Sequence, residues 1–110
     1  MLNYLTEDQE DTLRDASKLW GKSFQKKIAT EECSELILAM CHFDRGRIEV
    51  EDLLEEVADV MIICRQIVLD HEDDFRHPSI AQYVQQVIDE KMERLEKRVK
   101  ADSPNWREVV

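Results

Sequence analysis

Residues that allow tight turns are scarce in this chain. Its 110 residues include only two glycines and two prolines. Sandwiches and barrels of β-strands need many turns, and nucleotide-binding loops are often rich in glycine. Hydrophobic residues nevertheless make up 43% of the chain, which is enough for a folded core. The composition therefore favours an all-α fold made of long helices.

Four segments have the apolar spacing of amphipathic helices, with hydrophobic residues recurring every three or four positions. Their predicted ranges are about 6–21, 26–44, 49–70 and 79–101. We predict a single domain over 1–110, with a core of about 6–101 and a tail of 102–110. Because only a few residues connect the second and third helices, these two should form a hairpin within an antiparallel bundle of four to five helices.

The ends of these segments carry recognisable signals. Thr6 with Gln9, and Ser79 with Gln82, each fit a capping box, in which the N-cap residue and the third helical residue bond to each other's backbone. Gly46 is expected to stop the second helix, because glycine readily adopts the left-handed conformation that ends many helices.

The charge balance limits the partners of this chain. Its 25 acidic and 15 basic residues give a formal net charge of −10. Binding to nucleic acid or to an anionic membrane surface requires a basic face, so we expect neither partner. No apolar run approaches the roughly 18 residues of a membrane span, and the acidic segment 1–11 does not resemble a signal peptide.

Two further expectations follow from cysteine content and size. The odd number of cysteines, three, on apolar helices indicates reduced, buried thiols and a cytoplasmic protein. A lone domain of this size buries only about 60–70% of the surface of its unfolded chain. We therefore expect a homo-oligomer.

Two pairs of carboxylates lie where hydrophobic side chains are expected. At about 100° per residue, Glu32 falls inside the apolar stripe of the second helix, and Glu35 lies at its edge. Glu56 and Asp59 hold the corresponding positions on the third helix. A charge inside an apolar stripe is costly unless it is paired or bound to a metal. The hairpin is therefore expected to bring the two pairs together.

Four ionised carboxylates need a counter-charge, since their mutual repulsion would otherwise raise their pKa values until some were protonated. A divalent cation removes the conflict, and an all-oxygen set suits Mg²⁺, with Mn²⁺ as a substitute. Mg²⁺ also binds substrate phosphates, so the expected substrate is a phosphate ester or anhydride. Because acid-rich helices are common, a non-catalytic acidic helical interaction protein stays open as the alternative.

The acids themselves form a recognisable pair of motifs. Glu31 to Glu35 reads EExxE, and after 20 residues Glu56 to Asp59 reads ExxD. This arrangement resembles the signature of the MazG-like, all-α nucleoside triphosphate pyrophosphohydrolases. The similarity extends upstream to Trp20-Gly21 and downstream to three basic residues of the fourth helix, Lys91, Arg94 and Arg98. It therefore covers about residues 13–100.

The resemblance implies a Mg²⁺-dependent enzyme that hydrolyses a (d)NTP to the monophosphate and pyrophosphate. Water would attack the α-phosphorus, and the role would be nucleotide-pool housekeeping. Relatives assemble as homodimers or homotetramers. The catalytic, metal-binding acids would be Glu32, Glu35, Glu56 and Asp59, with Glu31 as a supporting acid because it points further toward the polar side.

Three more roles come from the resemblance. Lys91 and Arg94 would bind phosphate, and Trp20 would stack on the base. From the residues alone, helical spacing favours a core position for Trp20. Lys91 could equally be a long side chain that reaches solvent from the edge of the apolar stripe of the fourth helix. A phosphoribosyl-ATP pyrophosphohydrolase, which would keep the metal site and change the base pocket, is the alternative enzyme.

Overall fold

The computed structural model describes residues 4–74 and 79–103. Within these ranges all regular secondary structure is helical, which confirms the predicted all-α class. The chain divides into two compact units, one formed by Tyr4–Asp74 and the other containing the fourth helix. The helices are α1 (Glu7–Trp20), α2 (Lys22–Asp44), α3 (Val50–Asp70) and α4 (Ile80–Asp102).

The beginning of α1 confirms the predicted capping box. The Thr6 hydroxyl accepts a hydrogen bond from the Gln9 N–H at 3.1 Å, and the Gln9 side chain accepts one from the Thr6 N–H at 2.8 Å. Only Gly21 separates α1 from α2, and its φ of 90° and ψ of 152° are readily adopted by glycine alone. Because Gly21 ends one helix and begins the next, α2 starts at Lys22, four residues before the predicted position.

α2 and α3 form the predicted hairpin. Gly46 has a left-handed φ of 69°, and its N–H donates to the Phe43 carbonyl at 2.9 Å. The Glu49 N–H donates to the Asp52 carboxylate at 3.0 Å, which satisfies one exposed donor at the beginning of α3. The short connection 45–49 turns the chain back, so the two helices run antiparallel.

α1 runs alongside α3 in the same direction. Near its beginning, the Tyr4 hydroxyl donates to the Met61 carbonyl at 2.7 Å. Near its end, the Ser17 hydroxyl donates to the Asp70 carboxylate. Since residue numbers rise together along both helices, α1 is parallel to α3, and its last turn lies at the end of α3 that is far from the hairpin turn.

The buried core of the unit 4–74 is small. Its fully buried hydrophobic residues in the described chain are Ala29, Ala39, Ile63 and Leu69. As many polar side chains are equally buried: Gln25, Arg65, Gln66 and Asp70. By contrast, Leu19, Ile37 and Leu54 are 72%, 60% and 55% exposed. Exposed apolar side chains in such number usually mark a surface that binds another protein.

One side of the hairpin, which we call the outer face, carries several of these apolar side chains. Helical periodicity places the following residues there: Cys33, Ile37 and Met40 of α2, with Leu54, Met61 and Cys64 of α3. Partial burial and the nearby charge of Cys33 both raise the pKa of the Cys64 thiol, which agrees with a shared face. The prediction of buried cysteines is wrong, because all three thiols are exposed and free; two lie on this face.

α4 is a separate amphipathic helix of 23 residues. The Ser79 hydroxyl accepts a hydrogen bond from the Gln82 N–H at 3.2 Å, but the return bond of the predicted capping box is not formed. Pairs one turn apart stabilise its surface, such as Lys100 with Glu96 at 2.9 Å. Across the part of the chain that the structure describes, no helix is long and apolar enough to cross a bilayer.

Candidate metal centre

Three of the four predicted carboxylate ligands converge between α2 and α3. Glu32 and Glu35 lie one turn apart on α2, and Glu56 approaches them from α3. One carboxylate oxygen from each lies within 4.8 Å of the other two, which is close enough to hold one metal ion. Because acidic groups often gather on surfaces without an ion, the surroundings of this carboxylate trio decide how it is interpreted.

Two oxygens of the trio lack any polar partner. Oε2 of Glu32 and Oε2 of Glu56 are inaccessible to solvent and accept no hydrogen bond from the described residues. A buried acceptor without a donor costs about 1–3 kcal/mol, and more when it is charged. The third member, Glu35, is exposed. A cation or a proton is therefore needed to satisfy the inner oxygens.

The pKa values of the two inner carboxyls point the same way. Burial raises the pKa of Glu32, and the charges of Glu35, Asp59 and Glu56 raise it further. Burial is also the first cause of the raised pKa of Glu56, followed by the charges of Glu35 and Asp59. The folded chain therefore resists full ionisation of this cluster, and a bound divalent cation would reverse that tendency.

The other predicted acids lie around the trio. Asp59 is exposed, but its charge raises the pKa of both Glu32 and Glu56, so it lies near them without joining the closest three. Glu31 is exposed and forms no hydrogen bond or ion pair with any described residue. The ligand role of Asp59 and the supporting role of Glu31 stay predictions.

A cleft of about 420 Å³ opens beside the trio, toward the hairpin turn. Its size is within the usual range of small-molecule sites. The lining residues are Glu35, Leu38, Ala39, His42, Ile48, Asp52, Glu55 and Glu56. Because Glu35 and Glu56 belong to both the cleft and the trio, a ligand in the cleft would be next to a metal held by these carboxylates.

His42 is the cleft residue that sequence reasoning missed. It is half-buried, and its ring has no hydrogen-bond partner among the described residues. The histidines of this chain have no metal-ligand spacing, so none was assigned a role. The sequence did contain a signal for His42, which is its separation from Glu35. Seven residues correspond to about two helical turns, so His42 lies on the same side of α2 as Glu35.

Trp20 lies far from the trio within one chain. The contact between Ser17 and Asp70 places the last turn of α1 at the end of α3. Fourteen residues separate Asp70 from Glu56, which is about 21 Å along the helix axis. Trp20 is 58% exposed, and its ring centroid is 6.3 Å from that of Phe24. The core position that spacing favours is therefore wrong, and the aromatic pair faces solvent.

Lys91 and Arg94 both lie on α4, in the second unit, and both are exposed. Neither forms an ion pair with another residue in the described ranges. Their predicted contact with phosphate remains a prediction.

The trio has the ligand chemistry that a hard cation prefers. It offers oxygen ligands alone, which are preferred by Mg²⁺, Mn²⁺ and Ca²⁺, and the neighbouring cleft offers both apolar and polar contacts to an organic ligand. The chain matches no protein-family model, no curated protein and no solved structure.

Proposed function

We propose that this protein is a Mg²⁺-dependent nucleoside triphosphate pyrophosphohydrolase that converts a (d)NTP to the (d)NMP and pyrophosphate. The observation that supports this most is the pair of buried, unpartnered oxygens of Glu32 and Glu56. These residues belong to a trio in which each carboxylate has one oxygen within 4.8 Å of the other two. Such a set fits a divalent cation, and cations of this type usually carry a phosphate substrate as well.

Glu32, Glu35 and Glu56 would hold the metal, with Asp59 close enough to add a ligand or to orient water. A bound divalent ion would supply positive charge opposite the triphosphate and lower the pKa of coordinated water. By holding that ion, the carboxylates would fix the position of the substrate's phosphates, so that water could attack the α-phosphorus and pyrophosphate could leave. An exposed acid such as Glu35 or Asp59 can accept the proton that this water loses, and either assignment agrees with its exposure.

The cleft beside the trio would take the nucleoside. Leu38 and Ile48 offer apolar contacts to the sugar or base, and the unpartnered ring of His42 offers one hydrogen bond. Since the cleft shares Glu35 and Glu56 with the trio, a nucleotide bound there would have its phosphates at the carboxylates. The role would be housekeeping of the nucleotide pool.

Assembly of two or four copies belongs to this proposal. The outer face exposes Ile37, Met40, Leu54 and Met61 by 40–60%, and two such faces would pack as a four-helix interface. In the assembly, Trp20 would contact the base bound at a second copy, because its own trio is about 21 Å away along α3. Lys91 and Arg94 would then bind phosphate.

The experiment measures pyrophosphate release from a panel of (d)NTPs with Mg²⁺ or Mn²⁺, for the wild type, Glu56→Gln and Glu51→Gln. Glu51 is the matched control, because it is an exposed acid in the first turn of the same helix. We expect Glu56→Gln to abolish metal-dependent turnover and Glu51→Gln to retain it. Unchanged turnover in Glu56→Gln would show that the proposed site does not carry the reaction.

Two outcomes identify the alternatives. Hydrolysis of phosphoribosyl-ATP in preference to every (d)NTP would indicate the alternative enzyme, with the same carboxylates and a different base pocket. Calorimetric titration without binding of Mg²⁺ or Mn²⁺, together with no turnover, would indicate a non-catalytic interaction protein.

A further inference from the structure

Several polar contacts tie α1 to the rest of its unit. Glu10 pairs with Arg65, Ser17 with Asp70, and Arg14 with Glu72 at 2.7 and 3.2 Å. None of the residues of α1 is itself fully buried. A helix that belongs permanently to a core usually buries an apolar stripe instead.

The residues of α3 that bond to α1, namely Arg65, Gln66 and Asp70, are polar as well. The buried residues of α3 are Ile63, Arg65, Gln66, Leu69 and Asp70. Three of these five are charged or carry an amide, and Gln66, only 1% exposed, donates to both the Leu13 carbonyl and the Ser17 hydroxyl at 2.9 Å. This mixture is closer to the composition of a transient interface than to that of a permanent core.

Some polar atoms at the contact between α1 and α3 lack hydrogen-bond partners. Oδ2 of Asp70 and Nη1 of Arg65 are buried without a hydrogen-bond partner. A cavity of about 210 Å³ remains next to it, lined by Leu5, Gln9, Thr12 and Leu13 with Ile62 of α3. Release of α1 would rehydrate these two charged groups, which offsets part of the free energy of the contacts that it breaks, so α1 should open more easily than the hairpin unfolds.

The connection between α1 and α2 permits such a release. Gly21 alone separates the helices, and a side chain added there would meet nothing within 4 Å. A single glycine has more backbone freedom than any other residue, so this connection allows α1 to change direction relative to α2. The α2–α3 hairpin has its own turn and its own contacts, so it does not depend on this joint.

We propose that α1 is a releasable strap. It undocks from α3 as one unit about Gly21 while the α2–α3 hairpin stays folded, and it thereby uncovers the polar seat formed by Arg65, Gln66 and Asp70. This inference does not depend on the proposed enzymatic function, since the seat lies at the opposite end of α3 from Glu56.

Native-state hydrogen exchange of the full chain tests this proposal. We expect the amides of α1 to be protected at least tenfold less than those of α2 and α3, since local opening has a lower free energy than global unfolding. Ser17→Ala should lower the protection of α1 by about fivefold to thirtyfold and leave the hairpin unchanged. Ser34→Ala is the control, because the Ser34 hydroxyl bonds only to the Thr30 carbonyl within its own helix.

Gly21→Ala provides a second variant with a different cause. Its side chain has room, but a φ of +90° is unfavourable for alanine, so α1 should again exchange faster while α3 does not. Equal protection of α1 and α3 in the wild type would overturn the proposal. So would an equal loss of protection across all three helices in both variants, because α1 would then belong to a single cooperative core.

Discussion

Metal binding at the trio should change the thermal stability of this protein in a way that one substitution reverses. A ligand that binds only the folded state at a hundred times its Kd adds about 2.7 kcal/mol to the unfolding free energy. For a unit the size of residues 4–74, about 1 kcal/mol shifts Tm by roughly 4–8 °C. Saturating Mg²⁺ should therefore raise the wild-type Tm on the order of 10 °C.

Glu56→Gln should act in opposite directions with and without metal. Without metal, the neutral amide removes one repulsive charge beside Glu32 and Glu35, so the variant should unfold at a higher temperature than the wild type. With Mg²⁺, the variant has lost a ligand, so its Tm should no longer rise. Circular dichroism melts in chelator and in Mg²⁺ measure both effects, and Glu51→Gln should behave as the wild type does.

Two results of these melts would contradict cation binding or charge repulsion at the trio. A wild-type Tm that is identical in chelator and in Mg²⁺ would refute cation binding by the folded state. A metal-free Glu56→Gln protein that melts below the wild type would refute the claim that the three charges repel one another, since the substitution would then have removed a favourable contact.

Three more predictions concern pH, assembly and the cleft. The native pKa values of Glu32 and Glu56 are raised above 4.5, so the folded state binds protons more tightly than the unfolded state. In chelator, the unfolding free energy should therefore rise as pH falls from the native pKa toward 4.5. Urea melts at several pH values measure this change. Leu54→Glu should shift sedimentation toward the monomer, because it places a charge in the outer face, whereas Leu19→Glu, away from that face, should not. His42→Ala should raise KM for the nucleotide by about tenfold and change kcat less, if its hydrogen bond serves binding alone; an unchanged KM would exclude His42 from the cleft's ligand contacts.

The convergence of the trio could be predicted because it depends on local rules. Helical periodicity fixes the relative direction of Glu32 and Glu35, and the short connection before α3 fixes which end of that helix approaches them. The cleft could not be predicted in this way. Its volume depends on the distance between α2 and α3, which helical periodicity does not give.

The polar seat under α1 was beyond sequence reasoning for a similar reason. Gln66 and Asp70 look like ordinary surface residues of an amphipathic helix, yet both are buried where they bond to α1. The predicted range 6–21 places Gly21 at the end of the first helix. Gly21 is also the N-cap of α2, with no side-chain hydrogen bond to cap that helix. This arrangement depends on a backbone conformation that only glycine adopts readily.

The remaining ion pairs of the chain help to interpret the trio. Several other acidic residues of the described chain form ion pairs with basic residues. Glu10 pairs with Arg65, and Glu72 pairs with Arg14. No described ion pair includes Glu32, Glu35 or Glu56, although the chain has 15 basic residues. The counter-charge for the trio therefore does not come from the described residues of its own chain. Since two of its oxygens are buried and cannot be neutralised by bulk water, the trio needs a proton or a cation supplied from solution. Of these two, a divalent cation would satisfy all three carboxylates at once.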